Sequence, residues 1–104
     1  MKLRNLTESE TETVRACLQC VAEGNVILHD FEFSSLIGVE VSEFIDIYNQ
    51  WPEIDESNEI VNMAMNNAMN NLLGYCHGRH DNWSDYMDIS LDEIRKVFEK
   101  WRGE

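Results

Sequence analysis

The sequence predicts an all-α fold, in which residues 1–104 form one compact domain of four to five helices around a central helix near residues 58–73. Within that central stretch, apolar residues recur at alternating spacings of three and one, which places them on one face of a helix. They are Val61, Ala64, Met65, Ala68, Met69, Leu72 and Leu73. Proline occurs once and glycine five times, and the alternation typical of half-buried strands is not seen, so helix is favoured throughout.

The first helix is predicted to begin at Thr7, after a flexible lead-in of residues 1–6. Thr7 and Glu10 have the spacing of a capping box, in which each side chain accepts a hydrogen bond from the other residue's backbone N–H group. Gly24 is expected to end this helix, because glycine adopts the left-handed conformation of many helix C-termini.

Two shorter helices are predicted next. Asp30 is a candidate N-cap for a helix over Phe31–Ile37, which Gly38 would end. Ser42 is the candidate N-cap of a third helix, which Pro52 limits to about residue 51, because a residue before proline disfavours helical geometry.

The central helix carries unusual polar residues opposite its apolar stripe: Asn62, Asn66, Asn67, Asn70 and Asn71. Asparagine is a mediocre helix former, so we expect these amides to bond to neighbouring loops or to a partner. Met63 is expected to be exposed beside them, and Gly74 to cap the helix in the left-handed conformation. Ser90 and Glu93 form a second capping box that begins the last helix.

The charge is large and unevenly distributed. The net charge is −12, and residues 16–78 contain neither Lys nor Arg but ten acids. The acids are Glu23, Asp30, Glu32, Glu40, Glu43, Asp46, Glu53, Asp55, Glu56 and Glu59. Without a basic footprint the chain is not expected to bind nucleic acid directly, and the one-sided charge predicts a basic protein partner.

The predicted partner-binding surface combines aromatic residues with carboxylates: Glu43, Asp46, Tyr48, Trp51, Glu53, Asp55, Glu56 and Glu59. Aromatic anchors rimmed by carboxylates fit a cationic groove and associate quickly with it. The predicted function is an acidic protein-binding module, in its sharpest version an immunity or inhibitor protein that blocks a toxin nuclease. A DNA-mimicking inhibitor is a close variant, and a structural subunit that dimerises through its Met/Asn helix face is an alternative.

A second alternative is a small metal- or ligand-binding domain. Cys17, Cys20, Cys76, His77 and His80 are the residue types that bind zinc, and C-x-x-C is a common half-site. However, Cys17 and Cys20 lie within a predicted helix, whereas structural C-x-x-C pairs usually lie on a turn. The main prediction is therefore that no cofactor is bound, with Cys17 in the core, Cys20 peripheral and the histidines in a polar loop.

An enzyme is not predicted. His29, His77 and His80 are the side chains whose ordinary pKa lies near neutrality, and they do not form a recognisable set of nucleophile, base and orienting group. The chain lacks an apolar run long enough to span a membrane, and acids stand where a signal peptide needs its apolar region. We therefore expect a cytoplasmic protein, and the odd number of cysteines argues against a secreted disulfide framework.

Overall fold

Helices provide all the regular secondary structure of residues 2–75, 78 and 80–103, the part of the chain that the computed structural model describes. Five are α-helices: α1 (Glu8–Glu23), α2 (Phe33–Ile37), α3 (Val41–Asn49), α4 (Glu59–Gly74) and α5 (Leu91–Arg102). Two are 3-10 helices, Lys2–Asn5 and His80–Asp85. The predicted all-α class is confirmed. Among the described helices, none is both long and apolar enough to cross a bilayer.

The centre of the fold is shared by α1 and α4. Helix α4 packs against α1, α2 and α5, whereas α3 packs on α1. Six of the seven predicted stripe residues of α4 are buried, and Leu73 is half-buried. Because the Ala residues of the stripe are small, α4 can approach its neighbours closely while Met65, Met69 and Leu72 fill the space between them.

The helix starts that carry strong sequence signals are found where predicted. Thr7 Oγ1 accepts the Glu10 N–H at 3.1 Å, and the Glu10 carboxylate accepts the Thr7 N–H at 2.8 Å. Gly24 follows α1 with φ +75°, the left-handed cap that was predicted. Ser90 Oγ accepts the Glu93 N–H at 3.1 Å at the start of α5.

The predicted lead-in over residues 1–6 contains a short helix in the part that the structure describes. Residues Lys2–Asn5 form a 3-10 helix that packs against α5. The Leu3 N–H donates to the Glu56 carboxylate at 3.1 Å, and the Leu3 side chain is half-buried against the core. The lead-in is therefore attached through a contact 53 residues away in sequence, which local pattern could not indicate.

Two predicted N-caps are displaced by short-range competition. Helix α2 begins at Phe33 rather than Phe31, because the Asp30 carboxylate accepts the Glu32 N–H at 2.9 Å in a turn before the helix. Helix α3 begins at Val41 with Glu40 as its N-cap rather than Ser42, and the Glu43 carboxylate accepts the Glu40 N–H at 3.4 Å.

The end of α4 also differs from the prediction. Gly74 is the last residue of the helix and keeps a negative φ, while Tyr75 follows it as an extended C-cap. The Tyr75 N–H still donates to Asn71 O at 3.1 Å, so the last turn is completed without a left-handed residue.

Helix α2 is held by the asparagine face of α4. Asn67 Nδ2 donates to Ile37 O at 2.9 Å, and Asn71 Nδ2 donates to Leu36 O at 3.0 Å. A five-residue helix is too short to be stable by itself, and its last carbonyl groups have no partner within the helix. The two amides satisfy those carbonyl groups, which confirms for these residues that the asparagines bond to a neighbouring segment.

Candidate functional site

Nine of the ten acids of residues 16–78, the segment without Lys or Arg, are exposed. They are Glu23, Asp30, Glu32, Glu40, Glu43, Asp46, Glu53, Asp55 and Glu59. Glu43 and Asp46 are exposed on α3, whereas Phe44 and Ile47 of the same helix are buried. Most of the predicted carboxylates are therefore available to another molecule.

Glu56 is the exception, and its placement in the partner-binding surface is corrected by the structure. Its side chain is 6% exposed. The carboxylate accepts the indole N–H of Trp101 at 2.9 Å and the backbone N–H of Leu3 at 3.1 Å. Glu56 thus joins the α3–α4 loop to α5 and to the N-terminal 3-10 helix, and it is not accessible to a partner.

Within the part of the chain that the structure describes, the nine exposed acids form no ion pair with a cation. The ion pairs among the described side chains are Glu12 with Arg15, Asp92 with Arg95, and Glu10 with Lys100. Every acid in these pairs lies outside residues 16–78. The hydrogen bond from Lys100 lowers the pKa of Glu10, and the one from Arg15 lowers the pKa of Glu12.

The two predicted aromatic anchors are largely used by the fold. Tyr48 and Trp51 are half-buried and pack against the core. The Arg15 guanidinium donates to Tyr48 Oη at 3.2 Å, which fixes the phenol ring against α1. These side chains therefore offer a partner only their outer edges.

The most exposed large apolar side chain described is Phe31, at 87%. It stands between two exposed carboxylates, Asp30 and Glu32, and Leu28 nearby in sequence is 51% exposed. Sequence reasoning missed Phe31 because it was counted as the first residue of a helix. The signal was present, since the inward spacing of Phe33, Leu36 and Ile37 leaves Phe31 off the buried side.

Contacts on both sides hold the segment that carries Phe31. The His29 ring meets Phe33 edge-on at 5.4 Å, and its Nε2 lies 3.3 Å from Val21 O. On the other side, Tyr75 Oη donates to the Glu32 carboxylate at 2.7 Å. Phe31 is therefore displayed from a fixed position, which reduces the ordering cost of a contact.

The exposed aromatic residue and the acidic loop lie at opposite ends of α4. Glu32 contacts Tyr75, just beyond the C-terminus of α4, whereas Glu53, Asp55 and Glu59 lie before or at its first residue. A helix of 16 residues is about 24 Å long. Phe31, which was not part of the predicted partner-binding surface, is therefore a feature separate from the acidic loop.

The cysteines of the first helix belong to the core. Cys17 is fully buried and Cys20 is 7% exposed, so Cys20 is less peripheral than predicted. Burial raises the pKa of the Cys17 thiol to about 12 and that of Cys20 to about 11, which disfavours the thiolate needed for metal binding. Cys76 and His77 lie outside the described residues. Within the described ranges, no three Cys, His, Asp or Glu residues are placed to hold a metal ion.

His80, the last residue of the predicted Cys/His cluster, also has a partner in the chain. His80 Nε2 lies 3.1 Å from Leu72 O, at the C-terminal end of α4, and its ring is tilted beside Trp83. The Trp83 indole donates to Ile89 O at 2.9 Å. His80 therefore helps to attach the second 3-10 helix to α4.

No protein-family model, curated protein or solved structure matches this chain significantly, so its function has to be argued from its own residues.

Proposed function

We propose that this protein is an acidic protein-binding module that occupies a basic surface of another protein. In its sharpest form it is an immunity or inhibitor protein that blocks a basic toxin such as a nuclease. The observation that carries the proposal is that nine exposed carboxylates lie in a span without cations, and none of them forms an ion pair with another described residue. Such charge is compensated best by a cationic partner.

The carboxylates support a role in the rate of association. Like charges held on one domain repel each other and cost stability, but they create a potential that attracts a basic surface over several ångströms. Steering of this kind raises the association rate constant well above the range for uncharged surfaces, and salt weakens it. We assign this role to Glu43, Asp46 and Glu53, which are exposed on α3 and in the following loop.

Phe31 supports a different role, that of the apolar anchor. Interfaces derive most of their binding energy from a few residues that become fully desolvated, and aromatic side chains are common among them. Phe31 has the most surface left to bury among the described large apolar residues, and its segment is already fixed by His29 and Glu32. We propose that Phe31 determines how slowly the complex dissociates.

The experiment begins with capture of the partner from the native host by the immobilised protein, followed by binding kinetics with the purified partner between 50 mM and 500 mM salt. We expect a basic partner whose association rate constant falls as salt rises. A partner that is acidic, or whose association is insensitive to salt, would contradict the proposal, as would the failure to capture any partner.

Variants separate the two roles. The triple change Glu43→Gln, Asp46→Asn and Glu53→Gln should lower the association rate constant several-fold with little effect on dissociation. Phe31→Ala should raise the dissociation rate constant about tenfold or more, as expected for an anchor residue. Ile60→Ala is the matched control, because it truncates another exposed apolar side chain, at the other end of α4. If Ile60→Ala accelerates dissociation and Phe31→Ala does not, the anchor assignment is wrong.

The inhibitor version predicts, in addition, that binding abolishes the partner's activity. A captured toxin should lose its activity when one equivalent of the protein is added, and the Phe31→Ala variant should need a higher concentration for the same inhibition. If the complex forms and the partner remains fully active, the protein is a binding module without inhibitory function.

A further inference from the structure

A groove with a volume of about 340 Å³ lies on the side of α1, between that helix and residues 86–89. Five of the residues that line it are apolar: Ala16, Cys20, Tyr86, Met87 and Ile89. The others are polar or charged: Glu12, Arg15, Gln19, Glu23, Asn25 and Asp88. The volume lies near the lower end of the range for ligand pockets. The groove combines apolar side chains with carboxylates, which is the chemistry that suits a long cationic side chain.

Arg15 is the cation of the groove, and it is already engaged. Its Nε donates to the Glu12 carboxylate at 2.6 Å, and its NH1 group donates to Gln19 Oε1 at 2.7 Å. A further bond to Tyr48 Oη links the guanidinium to α3. Glu12 therefore balances the charge of Arg15, and this pair contributes little net charge to the groove.

Two other carboxylates line the groove, that of Glu23 in the last turn of α1 and that of Asp88. Neither forms an ion pair within residues 2–75, 78 and 80–103. The Asn25 amide donates to the Glu23 carboxylate at 3.3 Å. The groove consequently carries a net negative charge, which excludes anionic ligands and favours a cation.

We infer that this groove receives an arginine side chain of the basic partner, so the inference rests on the proposed function. The methylene groups would lie along Met87 and Ile89, and the guanidinium would meet Glu23 and Asp88. Arginine suits the groove better than lysine, because its planar head group pairs with carboxylates and is attracted to aromatic rings such as that of Tyr86.

A small probe tests this inference without the partner. We would titrate the ¹⁵N-labelled protein with N-acetyl-arginine amide at 150 mM salt and follow its backbone amide signals by NMR. We expect saturable shifts centred on Gln19, Glu23 and Asp88, with a dissociation constant on the order of millimolar. N-acetyl-citrulline amide, which has the same shape without the charge, should produce no saturable shift.

Two double variants supply the matched comparison. Glu23→Gln with Asp88→Asn should weaken binding of the probe about fivefold, as expected for the loss of two partly exposed ion pairs. Glu43→Gln with Asp46→Asn removes the same charge from α3 and should leave the affinity unchanged, because those carboxylates do not line the groove. Shifts spread over all acidic segments, equal binding of citrulline, or equal loss in both double variants would each overturn the inference.

Failure of the groove assignment can be distinguished from failure of the proposed function. If the arginine probe fails while Phe31→Ala still accelerates dissociation of the captured partner, the groove assignment is wrong and the binding function stands. If the probe binds as expected and no basic partner is captured, the groove recognises arginine but the proposed function fails.

Discussion

Removing the Glu56 carboxylate should destabilise the fold, although Glu56 belongs to a loop in which the neighbouring acids are exposed. In the structure this carboxylate accepts hydrogen bonds from two donors that are far apart in sequence, the Trp101 indole and the Leu3 backbone N–H. Trp101 is fully buried, so water cannot easily replace the lost acceptor. The prediction therefore concerns two donors that lose the Glu56 acceptor, one of them in the core.

The size of the effect follows from those two donors. A buried donor without an acceptor costs about 1–3 kcal/mol, and a hydrogen bond to a charged group contributes about 1.5–3 kcal/mol. The Leu3 N–H is only partly buried and can be hydrated, so its share is smaller. We expect Glu56→Ala to lower the free energy of unfolding by about 2–4 kcal/mol. Glu56→Gln should cost about 1–2 kcal/mol, because its amide oxygen can still accept one of the bonds.

Urea unfolding, followed by circular dichroism and tryptophan fluorescence, measures these changes. Glu53→Ala is the matched control, because Glu53 is an exposed acid of the same loop, and its removal should change the free energy of unfolding by less than about 0.5 kcal/mol. A double-mutant cycle with Trp101→Phe should give a coupling energy of about 1–3 kcal/mol. If Glu56→Ala costs no more than Glu53→Ala, or if the coupling energy is near zero, the reasoning is refuted.

Three further predictions concern the backbone, the asparagine face and pH. Gly38→Ala should destabilise the fold by about 1–2 kcal/mol, because φ is +92° and the added Cβ atom would lie 2.8 Å from the methyl group of Met63. Gly74→Ala, which has open space around it, should stabilise the fold by up to about 1 kcal/mol. Asn71→Ala should cost about 1–2 kcal/mol in urea unfolding, since its amide donates to two carbonyl groups; the exposed Asn70→Ala should be neutral or slightly stabilising. Because the pKa of Glu10 is lowered in the folded state, its contribution to stability is present above its unfolded pKa of 4.5 and is lost as the pH falls through its lower folded pKa. NMR titration of the Glu10 carboxyl group would detect the lowered pKa.

The helices were predictable because their signals are local. The capping box of Thr7 and Glu10, the left-handed caps at Gly24 and Gly38, and the apolar spacing in α4 each depend on residues within a few positions of one another. Such signals can be read from the sequence without knowledge of the tertiary structure. Prediction was less accurate at the starts of α2 and α3, where the Asp30 and Glu43 carboxylates accept the backbone N–H groups of Glu32 and Glu40.

The candidate site was less predictable, because the exposure of its residues depends on contacts between distant segments. Local sequence does not distinguish Glu56 from Glu53, which lies in the same loop. Glu56 is buried because Trp101 and Leu3, which are distant in sequence, pack against it. Phe31 differs from Glu56, because its exposure agrees with its position off the buried side of Phe33, Leu36 and Ile37. Likewise, the groove beside α1 is formed by residues more than 60 positions apart, Glu23 and Asp88 among them.

Salt separates the two consequences of the exposed carboxylates, since they affect folding and binding in opposite directions. Mutual repulsion among acids such as Glu43, Asp46 and Glu53 opposes the folded state, so screening by salt should raise the free energy of unfolding. The same screening weakens attraction to a basic partner and should slow association. A complex that is lost at high salt while the protein itself becomes more stable therefore cannot be explained by unfolding. Neutralising those three acids should reduce both salt dependences together, because a single set of charges causes them.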